Sequence, residues 1–311
     1  MNPPVLSPPD APLPHAAFAA YRQPAGPDSL RIDIQELSVR LDGLPSDLAA
    51  AMRGAYGPYV AGVESRPPLL RIDVMRDDRD YFIEPRFHKE WEVYRVLTEH
   101  DGAIFRLTSY RFAAWYDLKL GYGQLALAQG DLDPAPRAME NFLRSAFAWL
   151  SLDRGGFFLH GASIERDGRC HVFYGPSGAG KSTLSAMSRQ GRVISDDLTP
   201  LLRTPQGLDA LGSPFRGTYR VGEPVVGRFP VAAFYRLRKD ARTFLRRGDG
   251  ACFADLLGNL PWVVDQLPRH PHHADRVHEA VADVPFYYLH FEKDVDFWPA
   301  IDRGPDRALT D

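Results

Sequence analysis

Cysteine is scarce. Cys170 and Cys252 are the only two in 311 residues, so no disulfide framework supports the fold. Long apolar runs are missing too: no stretch has the ~18 apolar residues a membrane-crossing helix needs, and no membrane partner is expected. Neither charge sign dominates. Lys and Arg total 37 against 40 Asp and Glu, and the formal charge of −3 gives no reason to expect nucleic acid or an anionic lipid surface. The N-terminus lacks the basic start and apolar stretch of a secretory leader, so the expected location is cytoplasmic. What is present is 44% hydrophobic and 25% charged residues. That is the composition of a globular chain with enough length for one large domain or two ordinary ones.

Residues 1–28 hold eight prolines and little to bury, which reads as a flexible arm, with Phe18 and Tyr21 as possible docking points. From 29 to 135 the pattern is mostly two-residue alternation. "LLRIDVM" sets Leu70, Ile72 and Val74 on one face, and "YRFAAWYDLKL" does the same with Tyr110, Phe112, Ala114, Tyr116, Leu118 and Leu120. Asp101–Gly102 is a hairpin signal. This part reads as an antiparallel meander with a short helix near 45–55.

The period changes at "PRAMENFLRSAFAWLSL", where Met139, Phe142, Leu143, Ala146, Phe147 and Leu150 recur at helical spacing. Pro136 suits the first turn and Gly155–Gly156 lie past the end. A second domain, 136–300, begins with this helix, and 301–311 is a tail. "GGFFLHGASIERDGRCHVFYG" reads as a hairpin turning at Asp167–Gly168, its second strand running into a glycine-rich loop. Helical segments near 250–268 and 272–282 and a last strand at 285–291 close the domain.

Gly175-Pro176-Ser177-Gly178-Ala179-Gly180-Lys181-Ser182 fits G-x-x-x-x-G-K-[ST] without a mismatch. The glycines let backbone N–H groups turn inward as a cradle for phosphate oxygens, and the following helix adds its positive end. Lys181 supplies a mobile charge for the β- and γ-phosphates, and Ser182 a hydroxyl for Mg²⁺. A chance glycine-rich turn is the bland alternative. Against it stand the apolar strand Val172–Tyr174 before the loop and the helix-competent stretch Ser182–Arg189 after it. The expected nucleotide-binding residues run from Gly175 to Thr183.

"RVISDDL" follows at once, an apolar strand expected to end in Asp196 and Asp197 at its tip, beside the loop. Only 15 residues separate Lys181 from Asp196, room for one short helix and no long switch segment. Adjacent residues on an extended strand face opposite ways, so the two acids are expected to have different tasks. One faces the metal, and the other reaches an incoming hydroxyl as general base. A solvated strand end is the alternative for an isolated pair.

The stretch 159–198, from Leu159-His160-Gly161 through the loop to Asp196-Asp197, resembles the catalytic core of the bacterial HPr kinase/phosphorylase family, a fold related to ATP-dependent phosphoenolpyruvate carboxykinase. A weaker likeness runs through "GSPFRGTYRVG" to about residue 295, so the resemblance covers about half the chain. It implies a P-loop C-terminal domain of that kind; the first half does not resemble the amino-terminal domain of the bifunctional enzymes, and with its mainly antiparallel β pattern the expected fold is α/β, α+β overall. The resemblance also implies that Asp197 is the general base, Asp196 serves the metal, His160 poises Asp197, and Arg216 stabilises phosphoryl charge. His160 as an ordinary strand histidine and Arg216 as a surface ion-pair partner are the plain alternatives. Where the family has a metal-associated glutamate before the Arg-Gly, this chain has Pro214, with Glu223 the nearest substitute. That departure, and the lack of an evident dephosphorylation segment, put an HPr substrate and a reverse reaction in question.

The expected activity is transfer of the γ-phosphoryl group of ATP·Mg²⁺ to a hydroxyl on a protein, a peptide or a small molecule. A carboxykinase-like enzyme, an ATPase and a non-catalytic ATP-binding module are the other readings, and a homo-oligomer is compatible with the resemblance. Three further features read as structural. His270, His272, His273 and His278 lack companion ligands and look like surface histidines; "RLRKDARTFLRR" looks like a solvated face; both cysteines look buried.

Overall fold

The structure, a computed structural model, describes residues 23–62, 66–83, 96–129, 135–215, 217 and 224–305. Phe18, Tyr21, Arg216 and Glu223 lie outside the described residues. The architecture is mixed α/β, with sheets of mostly antiparallel strands and few helices. Two compact units divide between Ala146 and Phe147, with Ile34–Glu36 counted in the second.

The first unit is built on a sheet of β1 (Asp28–Ile34), β2 (Leu37–Leu44), β3 (Leu70–Arg76), β4 (Leu97–Asp101), β5 (Ile104–Thr108), β6 (Phe112–Asp117) and β7 (Tyr122–Leu127). The order is β1-β2-β3-β7-β6-β5-β4. Strands β4 to β7 form the expected antiparallel meander. Strand β3 departs from it, since it runs parallel to both β2 and β7. The crossover is helix α1 (Ser46–Tyr56), which buries Leu48, Ala49, Met52 and Tyr56. Alternation in β3 fixes which side chains are buried, and Leu70, Ile72 and Val74 are. Alternation is blind to strand direction.

Other expectations shift in detail. The β4–β5 turn is centred on Gly102–Ala103, one residue later than Asp101–Gly102. In β6 both faces are buried, because Ala113 and Trp115 pack with Ala126 under Phe82 and Tyr122. Leu120 leaves the stripe at the β6–β7 turn and is 70% exposed. The end of the proline-rich segment is tied down: Pro24 bridges Met75, and the Ala25 and Gly26 amides donate to the Val74 and Gly43 carbonyls.

Helix α2 (Ala135–Asp153) appears where the sequence places it, with Met139, Phe142, Leu143, Ala146, Phe147 and Leu150 all buried. Trp149 and Leu152 are buried as well, so more than one face of the helix is covered. The division between units falls inside it.

The second unit holds β8 (Gly156–Arg166), β9 (Arg169–Tyr174), α3 (Lys181–Met187), β10 (Arg192–Ser195), β11 (Leu198–Thr204), β12 (Gly207–Leu211), β13 (Arg228–Lys239), β14 (Phe244–Arg247), α4 (Gly250–Leu257), α5 (His272–Val281), β15 (Phe286–Phe291) and α6 (Trp298–Arg303). Strands β9, β13 and β15 run parallel, with β13 in the middle, and β8 pairs antiparallel with the other side of β9. The β8–β9 hairpin turns at Asp167–Gly168, both at positive φ, a shape that Asp and Gly tolerate. The core of this sheet includes Phe173, Leu184, Leu237, Leu289, Phe297 and Trp298. The last two belong to the α6 region, so the fold closes one element after the strand expected to end it.

Among the described residues, no helix is long and apolar enough to cross a membrane.

Candidate functional site

The loop Gly175–Gly180 connects the buried end of β9 to α3, and Lys181 is the first residue of that helix. The loop holds its own shape: the Ala179 amide donates to the Pro176 carbonyl and the Leu184 amide to the Gly180 carbonyl. Gly180 has φ +106, and a Cβ there would lie 2.5 Å from Cζ of Phe291 at the end of β15. Only glycine combines that backbone conformation with that close approach.

Lys181 is buried and folded back into the loop, its Nζ donating to the Gly175 carbonyl at 2.8 Å and to the Pro176 carbonyl at 3.4 Å. Burial holds its proton affinity below that of an ordinary lysine; the negative charge of Asp197 opposes that shift, and the positive charge of Arg236 adds to it. Two residues far apart in sequence are thus electrostatic neighbours of the loop lysine. Pro176, Ser177, Gly178 and Ser182 are exposed, while Ala179 and Thr183 are half-buried.

The two acids follow directly on the end of β10, as expected, but β10 is not the neighbour of the loop strand. Strand β8 lies between β9 and β10. β10 and β11 follow one another along the same side of β8, and Asp196 and Asp197 occupy the break between them. The register set by Ser195 opposite Ser163 carries on at Leu198 opposite His160, and the Gly161 amide still donates to the Asp197 carbonyl at 3.0 Å. Ser195 braces the break from inside: its hydroxyl donates to the Leu198 carbonyl at 2.8 Å and accepts the Asp197 amide at 3.4 Å. The sequence reading did not single out Ser195, whose role depends on the break.

The expectation of separate roles fits the surroundings of the two carboxylates. Asp196 is buried, and its Oδ1 accepts the Gly217 amide at 2.9 Å. Gly217 is wedged between the acids; a Cβ there would fall 2.7 Å from Asp196 Oδ2 and 2.8 Å from Asp197 Cβ. Asp197 is more open, and its Oδ1 lies 3.5 Å from His160 Nε2. His160 projects from β8, its amide held by the Asn259 carbonyl at 2.8 Å. The structure therefore brings His160 and Asp197 together, with the buried Asp196 next to Asp197 in the chain, and the charge of Asp197 is felt at Lys181. Pro214 is half-buried, and the Arg216 it precedes is outside the described residues.

Arg236 belongs to this group and was misread as part of a solvated basic face. It stands in register with Tyr174, the residue before the loop, and is only 6% exposed. Its Nε donates to Asp255 Oδ2 at 2.6 Å and its Nη1 to the Leu237 carbonyl at 2.8 Å. A Cβ on Gly175 would lie 3.1 Å from that Nη1. No sequence pattern pairs residues 236 and 255, so only the fold shows the ion pair.

The histidine-rich segment is corrected in one place. His273 is a core residue, its ring 5.5 Å from that of Trp149. Among the described residues, no three or more His, Cys, Asp or Glu side chains are grouped to hold a metal ion. Cys170 and Cys252 are both buried and unpaired with each other, and burial pushes the Cys170 thiol far up.

No protein-family model matches the sequence, and no curated protein matches it.

Proposed function

We propose that this protein is an ATP-dependent phosphotransferase of the HPr-kinase-like kind, acting in the cytoplasm on a hydroxyl of a protein, a peptide or a small molecule. One observation carries the reading: the lysine of a complete phosphate-loop motif is buried at the start of α3, and in the same unit the Asp197 carboxylate lies 3.5 Å from His160 Nε2. The parallel β9–β13–β15 core, with the loop leaving β9 into α3, supports a P-loop kinase domain of this type.

The residues divide the work as follows. Lys181 turns from the Gly175 and Pro176 carbonyls to the β- and γ-phosphates, aided by loop amides. Ser182 and Asp196 would hold Mg²⁺, which would neutralise phosphate charge when bound. Asp197 accepts the proton of the acceptor hydroxyl as its oxygen attacks the γ-phosphorus. The bond from that phosphorus to the β–γ bridging oxygen breaks, ADP leaves, and a phosphomonoester forms. His160 orients Asp197 and balances its charge. Catalysis of this kind is mostly positioning and charge neutralisation.

The test is the fate of γ-labelled phosphate. Purified protein is incubated with labelled ATP and Mg²⁺, with and without pools of serine-containing peptides and small alcohols. Label on a hydroxyl is the expected result. Label released only as phosphate marks an ATPase, and bound but unreacted ATP marks a non-catalytic module; either overturns the transferase reading.

A further inference from the structure

The phosphate loop leaves β9, while His160 and Asp197 stand on β8 and beside it. A reaction between them needs their separation fixed to a fraction of an ångström. One run of polar contacts passes from the loop to His160 by way of α4. It begins at Arg236, beneath Gly175, and crosses to Asp255 on α4 at 2.6 Å. The carbonyl of Asp255 accepts Asn259 Nδ2 at 2.7 Å, and the carbonyl of Asn259 accepts the His160 amide at 2.8 Å. A second tie joins the same helix to the residue before the loop, where the Tyr174 hydroxyl donates to the Cys252 carbonyl at 2.7 Å.

Stability alone is a poor account of Arg236. Burying a guanidinium is costly, and its partner Asp255 is half-exposed, so solvent screens the attraction that would offset that cost. The planar guanidinium does offer direction. Two of its nitrogens are committed, one to α4 and one to the backbone of β13, so the group cannot rotate without breaking a bond. A lysine ammonium in its place keeps the charge and loses that rigidity.

We infer that Arg236 is a positioning residue, which through Asp255 and Asn259 fixes the phosphate loop relative to the His160–Asp197 pair. The inference rests on the phosphotransfer reading above.

Two variants test it, Arg236→Lys and Asp255→Asn; the second removes one charge at a half-exposed site and is the milder perturbation. Backbone hydrogen exchange is followed in the nucleotide-free full-length protein, and turnover is measured with labelled ATP. In both variants, exchange of the hydrogen-bonded loop amide of Ala179 and of the His160 amide is expected to quicken about tenfold, the effect of losing one charge-assisted hydrogen bond. The turnover rate falls by about the same factor with little change in KM for ATP, and the double variant is no worse than either single one. Exchange at His160 that stays at the wild-type rate overturns the inference, as does a uniform rise throughout the chain. So does an unchanged turnover rate in an active enzyme. A wild type that transfers no phosphate removes the phosphotransfer reading, and the positioning role with it, whatever the exchange shows.

Discussion

His160 Nε2 stands 3.5 Å from Asp197 Oδ1, although 37 positions and the whole phosphate loop separate the two in sequence. β8 makes the meeting possible. It carries His160, pairs with β9 on one side, and on the other spans the break that holds the acids. The arrangement gives a carboxylate that is partly open to solvent and stands against an imidazole, with its charge felt at the buried Lys181.

Replacing Asp197 with Asn removes the proton acceptor and keeps the shape. ATP binding, measured by calorimetry, is expected to stay within about threefold of wild type, while transfer drops by ~10²- to 10⁴-fold, the range for losing a general base. His160→Gln is expected to lower transfer by a smaller factor. An Asp197→Asn enzyme with normal turnover contradicts the role given to Asp197.

Lys181→Met removes the charge and keeps most of the volume. ATP affinity is expected to fall by about two orders of magnitude, as for a lost charge-assisted contact to phosphate. The nucleotide-free protein should be no less stable than wild type. The folded state holds the Lys181 proton less tightly than the unfolded chain does, so the ammonium opposes folding at neutral pH. For the same reason this group's contribution to stability becomes more favourable as pH rises toward the ordinary lysine value. Urea midpoints with and without ATP separate the two effects.

Two loop glycines should respond unequally to alanine. Gly178 has φ +77 with nothing within 4 Å of a Cβ, so Gly178→Ala costs only the backbone strain, ~1 kcal/mol. Gly180→Ala adds a collision with the buried Phe291 ring and should cost about 3 kcal/mol or displace the loop. Equal losses of stability in the two variants contradict the packing described here.

Acid sensitivity should trace partly to His171. Its Nδ1 lies 3.0 Å from the Tyr235 hydroxyl, and burial lowers its pKa to about 4, with Arg166 and Arg169 adding to the shift. Between pH 6.5 and about 4 the unfolded chain takes up a proton that the folded one does not, so stability falls as pH falls through that window. Comparing pH 7 with pH 5, His171→Phe should lose about 2 kcal/mol less stability than wild type. Chemical denaturation at the two pH values measures the difference, and equal losses in both proteins contradict it.

The sequence was most informative where local chemistry decides structure. The stripe of α2, the Asp167–Gly168 turn and the strand–loop–helix run around Gly175–Lys181 each depend on residues within a few positions of one another. The parallel setting of β3 was not legible, because alternation in Leu70–Val74 reports burial alone. The strand end at Asp196–Asp197 was legible in "RVISDD", whereas the pairing of β10 and β11 along one side of β8 was not, because it depends on residues well back in the chain. Arg236 looked like surface charge because its acidic partner is 19 residues away on a helix. His273 looked exposed among neighbouring histidines, yet the fold sets it against Trp149.

The most direct measurement is a crystal structure with a non-hydrolysable ATP analogue and Mg²⁺. The expected result has the triphosphate in the loop Gly175–Ser182, Lys181 on its terminal phosphates, and the Asp197 carboxylate placed so that one hydroxyl fits at about 3 Å from both it and the γ-phosphorus. An analogue bound elsewhere, or a terminal phosphate turned away from Asp197, contradicts the account.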